Sequence, residues 1–159
     1  MVNKITRFKR KEGDIILIKL SDNTFGYGRV LNDPLFAFYD LNTSQPLSDI
    51  ELIIDKNILF KVWVMKYAIT SGRWKVIGNK PLESSLKKAP IFFKQDILTK
   101  EFSIYHSATS QETDASYEEC IGLERAAVWE PEHIEDRLED FFYGRNNKWV
   151  QSLKPIRVK

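Results

Sequence analysis

From Asp14 to Leu41 the chain alternates short apolar runs with tight polar clusters, and that rhythm restricts the fold more than any other feature. Ile15-Ile16-Leu17-Ile18 and Leu20 form a run too β-branched for a surface helix. Ser21-Asp22-Asn23-Thr24 supplies a turn. Phe25 to Leu31 follows, with Gly26 and Gly28 inside it. Glycine within a strand marks a bulge or a close backbone approach, so this strand is expected to bend. Asn32-Asp33-Pro34 turns the chain into Leu35–Leu41, with Phe36 and Phe38 on one face and Leu35, Ala37 and Tyr39 on the other. Such close spacing predicts antiparallel hairpins.

Beyond a loop at Asn42–Ser48, Ile50–Ile54 reads as a short strand and Leu59–Ile69 as a long central one. Ser71-Gly72 turns the chain into Trp74–Ile77, and Pro81–Lys88 has room for one or two helical turns. Pro90–Phe93 and Phe102–Tyr105 read as further strands, and the apolar-poor segment 107–116 as a mobile polar loop. The clearest helix begins at Pro131, a residue suited to the first helical position because its missing N–H would be unpaired there. Ile134, Leu138, Phe141 and Phe142 form its apolar stripe, and Gly144 stands where a helix-ending glycine belongs. Glu132, Asp136, Glu139 and Asp140 lie off the stripe, giving an acidic face turned to water. The fold class is therefore α+β: a twisted antiparallel β-sheet with a C-terminal amphipathic helix packed on it. Partial closure of the sheet into a barrel is left open.

The length of 159 residues suits one domain over 1–159, with a basic N-terminal segment 1–12 and a basic tail 145–159. A hydrophobic fraction of 43% supplies a core and excludes a disordered chain. A single cysteine, Cys120, excludes a disulfide framework within one chain. No apolar run approaches the roughly 18 residues of a membrane span, and no signal-peptide core follows the basic start. The expectation is a soluble, cytoplasmic chain with no membrane partner. The formal net charge of +2 conceals a strong asymmetry: residues 112–140 carry a net −9, and 141–159 a net +5. An acidic block in a mildly basic chain reads either as the face that meets a basic partner or as a solvated helix.

Candidate chemistry is sparse. The two histidines, His106 and His133, fall in different elements. Glu130 and His133 have a metal-binding spacing that di-iron bundles use twice, but here it occurs once, and a surface histidine among acids is the plainer reading. Cys120 has no histidine nearby in sequence and reads as a small buried hydrophobe at a strand start. Gly26-Tyr27-Gly28 lacks the third glycine of a dinucleotide fingerprint. The expectation is no catalytic set, no metal and no cofactor. Among the tryptophans, Trp63 reads as core and Trp149 as less buried. Arg7, Lys9, Arg10, Lys11, Arg145 and Lys148 would suit nucleic acid only if they converged, so no direct nucleic-acid contact is expected.

Five pieces in order carry a family resemblance: Gly13-Asp14-Ile15, Gly26-Tyr27-Gly28-Arg29-Val30, Phe36-Ala37-Phe38-Tyr39-Asp40, Trp74 through Leu82, and Gly122-Leu123-Glu124 through Trp149. Together they resemble the immunity protein 26 family of bacterial polymorphic-toxin systems, over roughly residues 10–150. The resemblance implies a non-enzymatic protein, encoded beside a secreted toxin, that neutralises the toxin's C-terminal domain by binding it. It also implies that the shared motifs, Trp74 and Gly144 among them, are residues of the fold. A phosphotriesterase label attached to the family supplies the alternative, a small hydrolase, although the chain lacks a histidine-rich binuclear metal site. On the binding reading, the acidic block is the toxin-binding face, chiefly Glu132, Asp136, Glu139 and Asp140, with Glu112, Asp114, Glu118 and Glu119 beside them. It would occlude the active site of a basic nuclease as a substrate mimic.

Overall fold

The computed structural model describes residues 7–158, which form nine strands in two sheets and six short helices. The hairpin strands are β1 (Asp14–Lys19), β2 (Phe25–Val30) and β3 (Leu35–Tyr39). The chain continues through α1 (Ile50–Ile54), β4 (Ile58–Val64), α2 (Tyr67–Thr70), β5 (Lys75–Asn79) and α3 (Ser84–Lys87). A second sheet follows from β6 (Ile91–Gln95), β7 (Phe102–His106) and β8 (Gln111–Ala115). The remaining elements are α4 (Tyr117–Cys120), β9 (Val128–Trp129), α5 (Pro131–Phe142) and α6 (Lys148–Ser152).

The larger sheet runs in the order β5-β1-β2-β3-β4-β9 and is open, so it is not a barrel. All its pairings are antiparallel except β4 with β9. Both of its faces are covered. On one, Ile16, Ile18, Val30, Phe36, Phe38 and Val62 pack against Trp74 and against Ile134 and Leu138 of α5. On the other, Ile15, Tyr27 and Tyr39 meet Ile53 of α1, while Leu35 and Ala37 meet Leu86 of α3 and Phe92 of β6. Double coverage explains why every residue of β3 is buried and why its sequence is a continuous apolar run. The glycines of β2 serve close approach rather than a bulge. Leu138 Cδ1 lies 3.3 Å from where a Gly26 side chain would start, and the registers of β2 with β1 and β3 run unbroken.

One fully buried cation ties the second face together. Arg29 donates from Nε to the Gly13 carbonyl at 2.8 Å. Its Nη1 reaches the Tyr39 hydroxyl at 3.2 Å and Glu83 at 3.1 Å. Its Nη2 reaches the carbonyls of Lys80 at 2.6 Å and Pro81 at 3.1 Å. A guanidinium has five N–H donors, and here each has an acceptor. The contact with Gly13 needs glycine. Its φ is +91°, and an added Cβ would stand 2.5 Å from the Lys80 oxygen.

Several expectations are corrected. Ile50–Ile54 is helix, not strand: Asp49 caps it by accepting from the Glu51 N–H at 3.1 Å, and a five-residue apolar run does not distinguish the two states. The long central strand Leu59–Ile69 stops at Val64 and lies next to the sheet's β9 edge. The chain then turns into α2, with Ala68 N–H bonded to the Met65 carbonyl at 3.1 Å. The polar loop 107–116 contains β8, paired with β7 over five residue pairs. Cys120 is buried as expected, but it ends α4 rather than starting a strand. Ser116 and Glu119 form a reciprocal capping box there, a signal that was readable in the sequence. On α5 the stripe holds for Ile134 and Leu138, both fully buried, and for the partly buried Phe142, whereas Phe141 at the helix end is 50% exposed.

Leu138→Ala is expected to lower the unfolding free energy by about 2–5 kcal/mol in urea melts, because it empties a fully packed site. A loss below about 0.5 kcal/mol would show that α5 does not pack on the sheet. Arg29→Met removes all five donors while keeping an unbranched side chain. Its expected cost is about 3–5 kcal/mol, larger than that of Glu83→Gln, which leaves an acceptor in place.

Candidate functional site

The acidic helix is set by its ends. Pro131 opens α5 after the extended Glu130, Glu132 sits in the first turn beside the positive end of the helix dipole, and Gly144, at φ +69°, ends it after Tyr143. With Ile134 and Leu138 against the sheet, the carboxylates fan outward, but they do not simply face water. Glu132 accepts from the Tyr67 hydroxyl at 2.6 Å and lies 3.4 Å from Arg73. Glu135 takes two bonds from Arg73, at 2.7 and 2.8 Å, and one from the Trp74 indole at 2.9 Å. Asp136 accepts from the Trp149 indole at 3.0 Å. Glu139 binds the Ser21 hydroxyl and the Asp22 N–H of the β1–β2 turn, the latter at 3.0 Å. Asp140 holds Arg145 at 3.1 Å and Asn147 at 3.0 Å. The expected acidic face is thus a seam joining the first hairpin turn, the α2–β5 corner and α6. Asp136 and Glu139 also line two grooves, one with Arg73 and one with Asn147 and Trp149.

Hydrogen bonding shifts the ionisation of this seam. The Tyr67 phenol is pushed up to about 12, first because its proton is held by the Glu132 carboxylate. The same bond holds Glu132 below the usual carboxylate range, aided by its own backbone N–H and by Arg73.

The second acidic group lies elsewhere. Glu112 and Asp114 stand two residues apart on β8, on the sheet face that also carries Lys94 and Tyr105. Lys94 pairs with Glu112 at 2.6 Å, and this bond keeps the carboxyl low. Asp114 has no side-chain hydrogen bond or ion pair among the described residues. Glu118 lies 3.9 Å from Arg157, and Glu119 is occupied in the α4 capping box. The structure does not bring the two groups together: α5 covers one face of the larger sheet, and the sheet containing β8 packs on the other.

The remaining candidates settle into the fold. His133 stacks on Trp149 with ring centroids 3.5 Å apart, and Glu130 lies 3.7 Å from it. Burial raises the Cys120 thiol above its ordinary value. Among the described residues no three of His, Cys, Asp and Glu are grouped to hold a metal, and no helix is long and apolar enough to cross a membrane. Trp63 is half-buried against Phe92 and Tyr105. Arg7, Lys9 and Arg10 line one groove with Lys66, whereas Lys148 lines another beside α5. The described part of the basic tail is docked, with Gln95 and Ile156 exchanging two hydrogen bonds at 2.9 and 3.0 Å.

The protein is an α+β scaffold of two packed sheets whose acidic side chains lie at its surface, with Arg29 as its fully buried cation. The comparison with known families is specific: the model for immunity protein 26 matches residues 11–104, more than half of the chain, and the chain belongs to that family. No curated protein and no solved structure matches it. The matched segment contains Arg29 and every acceptor it uses, and all eight acidic candidates lie after it.

The Tyr67–Glu132 bond has a pH signature. Glu132 is lowered on folding, so its contribution is present above the unfolded carboxylate value and is lost as pH falls. Tyr67 is raised, so its contribution is present below about pH 10 and is lost as pH climbs through about 12. In urea melts Tyr67→Phe is expected to cost less than about 1 kcal/mol at neutral pH, since the pair is exposed. That difference should shrink as pH falls below the ordinary carboxylate range and the held Glu132 is protonated. A cost that stays constant across the acid range would contradict the pairing.

Proposed function

We propose that this chain neutralises a cognate toxin domain by binding it and covering its active site, without performing chemistry on it. Family membership carries the reading. We further propose that the toxin is a nuclease with a basic cleft, and that the acidic residues supply the complementary surface. The net −9 of residues 112–140 supports this. The two acidic groups take different roles. Glu132, Asp136, Glu139 and Asp140 are held in fixed positions by Tyr67, Trp149, Ser21 and Asn147, and give a standing negative field that steers a basic partner. Asp114, Glu118 and their neighbours Glu112 and Glu119 are the side chains that meet the partner. A scaffold held in common, with recognition placed on a separate surface, is the arrangement that lets related inhibitors choose different partners. On this reading the chain works in the cytoplasm of the toxin-producing lineage and protects it against contact-dependent growth inhibition by a polymorphic toxin.

The test pairs protection in cells with association kinetics. Cells carrying the toxin gene that neighbours this one are expected to survive with the wild-type chain. They should lose protection with Asp114→Lys, Glu118→Lys and Asp136→Lys combined, positions that are exposed and make few internal bonds. The association rate of that variant is expected to fall by about tenfold or more and to lose most of its salt dependence. Full protection with an unchanged rate would place the toxin on another surface.

A further inference from the structure

Among the described residues β8 is an edge strand. It pairs with β7 alone, and the backbones of Glu112, Thr113, Asp114 and Ala115 make no hydrogen bond outside that ladder among the described residues. In an antiparallel pair every second residue turns its N–H and C=O away from its neighbour, so β8 offers an unused row of donors and acceptors. Edges of this kind are normally blunted by charged side chains, lysine above all, or by proline, a bulge or a covering segment. The β5 edge of the larger sheet has two of these devices: Lys75 in the strand and a register break against β1 between Ile15 and Ile16. In β8, Gln-Glu-Thr-Asp-Ala, there is no lysine, proline or register break, and its two charges are both negative, so they repel acidic or like strands but not a basic one.

The side chains say which strand fits. Glu112 and Asp114 share one face, and Asp114 has no cationic partner among the described residues. A second copy of this chain is disfavoured. Antiparallel pairing of two β8 strands about Thr113 would set Glu112 opposite Asp114 of the other copy, and like charges directly opposed are destabilising. An extended segment with lysine or arginine at alternate positions would satisfy the backbone row, pair with Asp114, and add a second cation beside Glu112, which Lys94 already holds. We propose that β8 is a strand-addition site, and that its occupant is a basic extended segment of the toxin domain, added as the fourth strand of the β6–β7–β8 sheet. The inference rests on the toxin-binding reading and names the contact mode.

The test is amide hydrogen exchange on the full chain, alone and with the toxin domain encoded beside its gene. In the complex every second amide of residues 111–115 is expected to slow by about tenfold or more. Asp114→Lys should abolish that protection while leaving the exchange of β1–β4 unchanged. A synthetic Thr-Lys-Val-Lys-Thr peptide should perturb the amide resonances of β8, whereas Thr-Glu-Val-Glu-Thr should not. A tight complex in which β8 exchanges as in the free chain would overturn the inference and leave the toxin-binding reading intact. Absence of any complex would remove the reading, and the inference with it.

Discussion

The structure depends on the satisfaction of one buried guanidinium. Arg29 lies fully inside the second face of the larger sheet, where an unpaired charge would cost several kcal/mol. Its acceptors come from four places: the turn before β1, β3, the carbonyls of Lys80 and Pro81, and Glu83 at the start of α3. The cation therefore fixes where the chain leaving β5 can run, and so where α3 and the second sheet can dock. Tyr39 shares this environment, and burial raises its phenol above the ordinary value despite the neighbouring cation. A lysine would not replace Arg29, since the three donors of an ammonium cannot meet the acceptors on Gly13, Tyr39, Lys80, Pro81 and Glu83 together.

On the opposite face the acidic residues of α5 take the organising part. They are tied to Ser21, Tyr67, Arg73, Trp74, Arg145 and Trp149, residues spread from the first hairpin to α6. A surface whose charges are already held pays little ordering entropy when a partner arrives. On the proposed reading, the same bonds that stabilise the fold prepare a negative field for association. Direct contact, on that reading, falls to side chains the fold leaves free, and Asp114 on an open strand edge is the clearest of them.

The hairpins, the second sheet's first two strands and α5 were legible in the sequence because each combines a strong period with an explicit stop signal. The errors have physical causes. Ile50–Ile54 is apolar throughout, so periodicity could not separate strand from helix, although Asp49 and Glu51 carried the helix-start signal. Strand β8 is exposed along nearly its whole length, so it lacks the apolar alternation that betrays a strand, and only its partner β7 defines it. The acidic face of α5 was found, but its pairing was not: Ser21 and Glu139 are 118 positions apart, and no local pattern reports such a contact. Arg29 was visible only as a charge between Gly28 and Val30. Its place at the centre of the fold appears once Gly13, Tyr39 and Lys80 are brought together in space.

The central claim is that neutralisation is stoichiometric binding. Titrating the purified chain into a fixed amount of the neighbouring toxin domain, and reading the toxin's activity at each point, tests it most directly. If neutralisation is binding, activity falls linearly and reaches its floor at one equivalent of chain, with no further loss over time. Complete loss at a small fraction of an equivalent, deepening with incubation, would mean catalytic turnover and would contradict it, as would full activity in the presence of excess chain.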